Sequence, residues 1–222
     1  MDLLSVYRQH PFLVLDVTPQ CARDELMSKQ SEAALFGEEQ ASADALTALL
    51  HPDSRLNAEI HWFPQTEREQ IQAILQYAFH PILSQPAPEF STPSFLAQFN
   101  ALRLLLSLLP VETAAEYKGV LHSLSMLGDC LLPRQVMDEI NLDRKASGFP
   151  PLRKPTEMEP SIVSLLHETA LAFLEKRPAQ LSREEIQKIV AELRKDYKDR
   201  SSIYHNSYFL EIISDELAAL PG

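Results

Sequence analysis

Residues 18–56 read TPQCARDELMSKQSEAALFGEEQASADALTALLHPDSRL, and their punctuation decides the fold class. Thr18-Pro19 opens a helix whose body runs from about Ala22 to Phe36 without an internal Pro or Gly. Gly37 ends it. Glu38 and Glu39 open a second helix to Leu50, at the end where the helix dipole favours negative charge. Pro52 interrupts the pattern. A short helix from Ser54 to Trp62 follows, with Asp53 or Ser54 as its N-cap, and Pro64 closes the unit.

The same grammar extends in both directions. Upstream, Phe12-Leu13-Val14-Leu15 after His10-Pro11 reads as a short apolar turn. Downstream, Thr66 to Leu83 places Ile71, Ile74, Leu75, Ala78 and Phe79 on one face of an amphipathic helix. Residues 84–93, with three prolines and no glycine, read as a Pro-rich linker. Ser94 to Leu109 is apolar nearly all round, as a central buried helix would be. Further helices are expected over Glu112–Leu131, Pro133–Arg144, Pro160–Glu175, a segment after Ser182 and Ser207–Leu220. Ser182 and Glu185 have capping-box spacing. The expectation is an all-α chain: a helical unit over 1–83, the linker, and a C-terminal helical bundle over 94–222.

Composition agrees. Sixteen prolines against five glycines suit interrupted helices better than β-turns. The formal charge is −11, and residues 1–80 hold twelve Asp/Glu against five Lys/Arg. An acidic surface repels phosphate backbones and anionic headgroups, so neither nucleic acid nor membrane is an expected partner. The basic residues Arg194, Lys195, Lys198 and Arg200 alternate with Asp196 and Asp199, the pattern of a solvated helix face. Two isolated cysteines, Cys21 and Cys130, and an acidic start at Met1-Asp2 point to a reduced, cytoplasmic setting.

The N-terminal unit resembles a J-domain. The resemblance rests on His10-Pro11-Phe12-Leu13-Val14-Leu15 with Val17-Thr18-Pro19, and on Leu50-His51-Pro52-Asp53-Ser54-Arg55-Leu56 at the far end. It covers about a quarter of the chain. It implies a helical scaffold for protein contacts and a DnaK-type chaperone as a possible partner. The family stimulates that chaperone's ATPase through a His-Pro-Asp tripeptide between its two long helices. Here His51-Pro52-Asp53 follows the second long helix, and the expected loop reads Ala34-Leu35-Phe36-Gly37-Glu38-Glu39. The helix ahead of His51 carries acidic residues and no Lys or Arg, where the family's docking helix is basic. The sequence is therefore read as a non-enzymatic adaptor on a degenerate J-like unit. The alternative is a divergent co-chaperone acting through His51, Pro52 and Asp53.

No assembled chemistry appears elsewhere. Glycine-rich phosphate loops are absent, and His167-Glu168 lacks a second histidine, with Leu171 at that place. No metal or cofactor is implied. Residues 138–150 are the most distinctive stretch beyond the N-terminal unit. Asn141, Asp143, Arg144 and Phe149 there read either as a recognition surface or as a helix end. In the second reading Arg144 and Lys145 complement the dipole, Gly148 caps and Phe149 plugs the core.

Overall fold

The computed structural model describes residues 3–81, 87–106, 108, 111–199 and 207–219. The fold is all-α. Among the described residues there are α1 (Leu3–Arg8), α2 (Pro11–Val14), α3 (Arg23–Leu35), α4 (Glu39–Leu50), α5 (Pro52–Ile60) and α6 (Arg68–Phe79). They are followed by α7 (Phe95–Leu105), α8 (Ala114–Gly128), α9 (Pro133–Ser147), α10 (Glu159–Glu175), α11 (Arg183–Asp199) and α12 (Tyr208–Ala219). No described helix is long and apolar enough to cross a membrane.

Proline and glycine set most boundaries. Gly37 and Gly148 adopt positive φ, 88° and 72°, just beyond α3 and α9, where a side chain would be strained. The Ser182–Glu185 capping box forms: Ser182 N and Oγ donate to Glu185 Oε2, and Glu185 N donates to Ser182 Oγ. Several boundaries differ from expectation, α1 was not expected, and two of the differences are set by proline. The apolar stretch after His10 is a helical turn, α2, because Pro11 at its first position supplies a helical φ and loses no hydrogen bond. The N-cap of α5 is His51, for the same reason. Pro52 takes the first position, so Asp53 falls inside the first turn, where its charge still suits the dipole.

Two cores form, and α7 runs between them. Its Leu96 and Phe99 enter a core built mainly from α8 to α12. Its Ala97, Ala101 and Leu104 enter the other, with Tyr7, Phe12, Leu26, Leu49, Trp62, Phe63 and Ile74. The small alanines let the helix approach closely on that side. Asn100, fully buried on α7, donates from Nδ2 to the carbonyls of Ile60 (2.8 Å) and Trp62 (2.6 Å). This ties off carbonyls at the C-terminal end of α5. The segments on either side of 84–93 are thus in direct contact. Residues 82–86 lie outside the described residues. Thr92 is buried and shares a hydrogen bond with Thr66, and the Phe90 ring meets Phe63 edge-on.

Phe99 has no exposed surface and meets Phe209 edge-on, with ring centroids 6.1 Å apart. Phe99→Ala is expected to cost about 3–5 kcal/mol, read as a lower urea midpoint with an unchanged slope.

Candidate functional site

The polar residues singled out on α9 face inward. Asp143 and Arg144 are buried, Asn141 and Phe149 half-buried. Asn141 holds the following loop by giving and taking a hydrogen bond with the Leu152 backbone. Asp143 accepts from Gln20 Nε2, Gln65 N and Gln65 Nε2, each at 3.0 Å. Gln65 has φ 55°, a costly conformation for a side-chain-bearing residue, and Asp143 fixes it there. Burial pushes the Asp143 carboxyl up, and the donors from Gln65 and Gln20 oppose that shift.

Arg144 does not cover the helix C-terminus, as the dipole argument expects. Its Nε donates to Glu59 Oε2 at 2.9 Å, and Nη2 lies 2.7 Å from the same oxygen. Glu59 Oε1 takes Arg55 Nε at 2.7 Å. Arg55 also donates to the Pro19 carbonyl, and its guanidinium lies 3.5 Å above the Phe149 ring centre. One buried carboxylate thus sits between two buried guanidiniums, one from either side of the 84–93 segment. This cluster joins α5 to α9. Its polar atoms face one another rather than solvent.

His51, Pro52 and Asp53 are all exposed. Asp53 stands on the wall of a cleft of about 730 Å³ that His10, Asn57, His61 and Glu168 also line. Glu168, from α10, receives Arg103 Nη2 at 2.6 Å and lies 3.5 Å from His61 Nε2. The His61 hydrogen bond holds its carboxyl below the usual range, and the His61 and Arg103 charges add to this. His10 is stacked on Trp62, centroids 4.4 Å apart, and is only 6% exposed. Burial lowers its pKa to about 3; the His61 and Arg103 charges act in the same direction, and the Ala58 backbone opposes them. A strongly perturbed group at a cleft is a mark of functional sites.

A third feature is the turn between α3 and α4. Leu35 and Phe36 are 86% and 81% exposed, and Met27 on α3 is half-exposed. No residue from 27 to 41 is buried. A short turn joins two helices of thirteen and twelve residues, so they form a hairpin whose distal half stands clear of the core. Leu35-Phe36 before a terminating glycine was readable as a helix end. That both side chains are bare was not, because α3 has no clear apolar stripe to show where it detaches. No protein-family model, characterised protein or solved structure matches this chain.

Glu59→Gln leaves two buried cations without their counter-charge. It should cost about 3–5 kcal/mol in urea unfolding, and markedly less in an Arg144→Met background. A second expectation concerns acid. The unfolded His10 ring takes a proton near pH 6.5, the folded one only near 3. The unfolded state binds more protons between these values, so stability falls as the pH drops from about 6.5. His10→Phe should flatten that fall between pH 7 and pH 5 in paired urea titrations.

Proposed function

We propose that this protein is a non-enzymatic adaptor that engages a protein partner through the tip of the α3–α4 hairpin, on a degenerate J-like scaffold. The observation that carries this reading is the bare Leu35-Phe36 pair. Two adjacent large apolar side chains on a protruding turn bury nothing in the chain itself. Such groups are kept exposed at a cost in solubility, and they mark contact surfaces. In a J-like arrangement this turn is the place where the active loop would stand. Here it presents apolar side chains instead of His-Pro-Asp. From Gln30 to Ser54 the chain has five Asp/Glu and no Lys or Arg, so the tip favours a partner with an apolar pocket and a basic rim.

The test is a Leu35→Asp/Phe36→Asp variant. Both sites are exposed, so stability should move by only about 0.5 kcal/mol. Partners cross-linked at the tip of the wild-type protein should be lost. If the same partners are retained at wild-type levels, the hairpin is not the contact and the adaptor reading fails.

The exposure of His51, Pro52 and Asp53 favours one second reading, a divergent co-chaperone. It requires that the protein accelerate ATP hydrolysis by a DnaK-type chaperone and that His51→Gln abolish the effect. Unchanged hydrolysis at micromolar protein removes it.

A further inference from the structure

The outer face of α9 complements the hairpin tip, and we propose that the tip's partner is a second copy of this chain, whose Leu35-Phe36 turn seats beside Leu142 on that face. This rests on the reading of the tip as a contact surface and names what it contacts. At about 100° of rotation per residue, Arg134, Asp138, Leu142, Lys145 and Ala146 share one side of α9, and all five are exposed. Val136, Ile140, Asp143 and Ser147 are buried on the opposite side. Leu142 is 57% exposed, so a large apolar side chain stands bare in the middle of the outer face.

The loop after α9 supplies a basic rim. Asn141 gives and takes a hydrogen bond with the Leu152 backbone, and Arg144 Nη1 donates to the Pro150 carbonyl. Residues 150–152 are thereby held along the helix, and Arg153 and Lys154, both exposed, follow at its edge. From Arg144 to Thr156 the chain has four basic residues and no Asp or Glu. Arg144 is taken up by Glu59. The side chains of Lys145, Arg153 and Lys154 form no ion pair or hydrogen bond among the described residues, and neither Asp138 nor Glu157 closes on them. Elsewhere on the surface Lys29, Arg68 and Lys118 each meet a carboxylate, from Glu32, Asp16 and Glu192. A chain of net charge −11 thus keeps three cations uncompensated beside a bare leucine.

The tip is the converse surface. It presents Leu35 and Phe36 within a stretch, Gln30 to Ser54, that has five Asp/Glu and no Lys or Arg. Each surface carries the charge that the other lacks, around apolar side chains that nothing covers. Both are bare in the same chain, so neither covers the other within one molecule. The two surfaces differ, so the contact is heterologous, with the tip of one copy on the α9 face of the next.

Sedimentation of the full chain across micromolar concentrations is the test. The average mass should rise above that of the single chain. Leu35→Asp/Phe36→Asp and, separately, Lys145→Glu/Lys154→Glu should each weaken this association by about tenfold or more. Mixed together, the two variants should form a dimer with one copy of each, because one brings an intact face and the other an intact tip. Such complementation needs both variants folded, so it separates lost contact from lost structure. A wild-type chain that stays monomeric, a mixture that forms no dimer, or association that persists in the Lys145→Glu/Lys154→Glu variant overturns the proposal and leaves the tip to a different protein. Association that persists in the Leu35→Asp/Phe36→Asp variant overturns both the proposal and the reading of the tip.

Discussion

The arrangement depends on a single carboxylate. Glu59 is buried, and each of its oxygens holds a different arginine, Arg55 on one side and Arg144 on the other. Desolvating three charges is expensive, and their mutual attraction offsets this only when every hydrogen bond is well made. Here five of the six guanidinium nitrogens donate a hydrogen bond, and the sixth, Arg144 Nη2, lies 2.7 Å from Glu59 Oε2. Arg55 reaches the carbonyls of Leu49 and Pro19, and Arg144 reaches that of Pro150. Asp143, one residue before Arg144, adds a second buried carboxylate, so the cluster is close to neutral. Apolar packing tolerates small slips between helices. A set of short, directional charge-assisted bonds does not, and α9 can therefore seat on α5 in only one register.

The rest of α9 follows from that seating. Glu139, one turn before Asp143, accepts from Ser94 Oγ and the amides of Phe95 and Leu96, at the start of α7. A carboxylate there meets both the free N–H groups and the positive end of the dipole. Ser94 in turn accepts from Ala97 N as the N-cap. So α9 fixes α5 through Arg144, the Gln65 turn through Asp143, and α7 through Glu139. The helix with the most polar sequence after α11 acts as an internal strut, while α7, one of the apolar helices, separates the cores.

Local signals in the sequence were strong where they acted within one helix. Gly37, Gly148, Pro133 and the Ser182–Glu185 box mark their boundaries because backbone freedom and end-capping are properties of a few neighbouring residues. Signals that need a distant partner were not legible. Arg55 and Glu59 are four apart and look like an ordinary exposed helix pair. Only Arg144, 85 residues from Glu59, makes the pair a buried cluster. For the same reason Asp143 and Arg144 drew attention as a recognition surface. Their density of charge was real, but its complement lies inside the molecule. His10 was hidden differently: a histidine before a proline gives no hint that Trp62 will stack over it.

This separates two kinds of polar residue. Charges that meet a well-formed partner, as Glu59 and Asp143 do, explain themselves by holding the fold. Groups left without one do not. His10 is buried under Trp62 with only the Ala58 backbone set against its desolvation, and Leu35 and Phe36 are bare with nothing of their own chain to cover them. Neither arrangement lowers the energy of the isolated chain. Burying an imidazole costs solvation, and exposing two large apolar side chains forgoes their transfer energy. Both sit on elements that the cores position firmly: His10 at the start of α2, and the tip at the end of a hairpin anchored by Leu26, Ala45 and Leu49. The charge-rich seam is satisfied within itself, so the energy the fold leaves unrecovered lies at the cleft and at the tip.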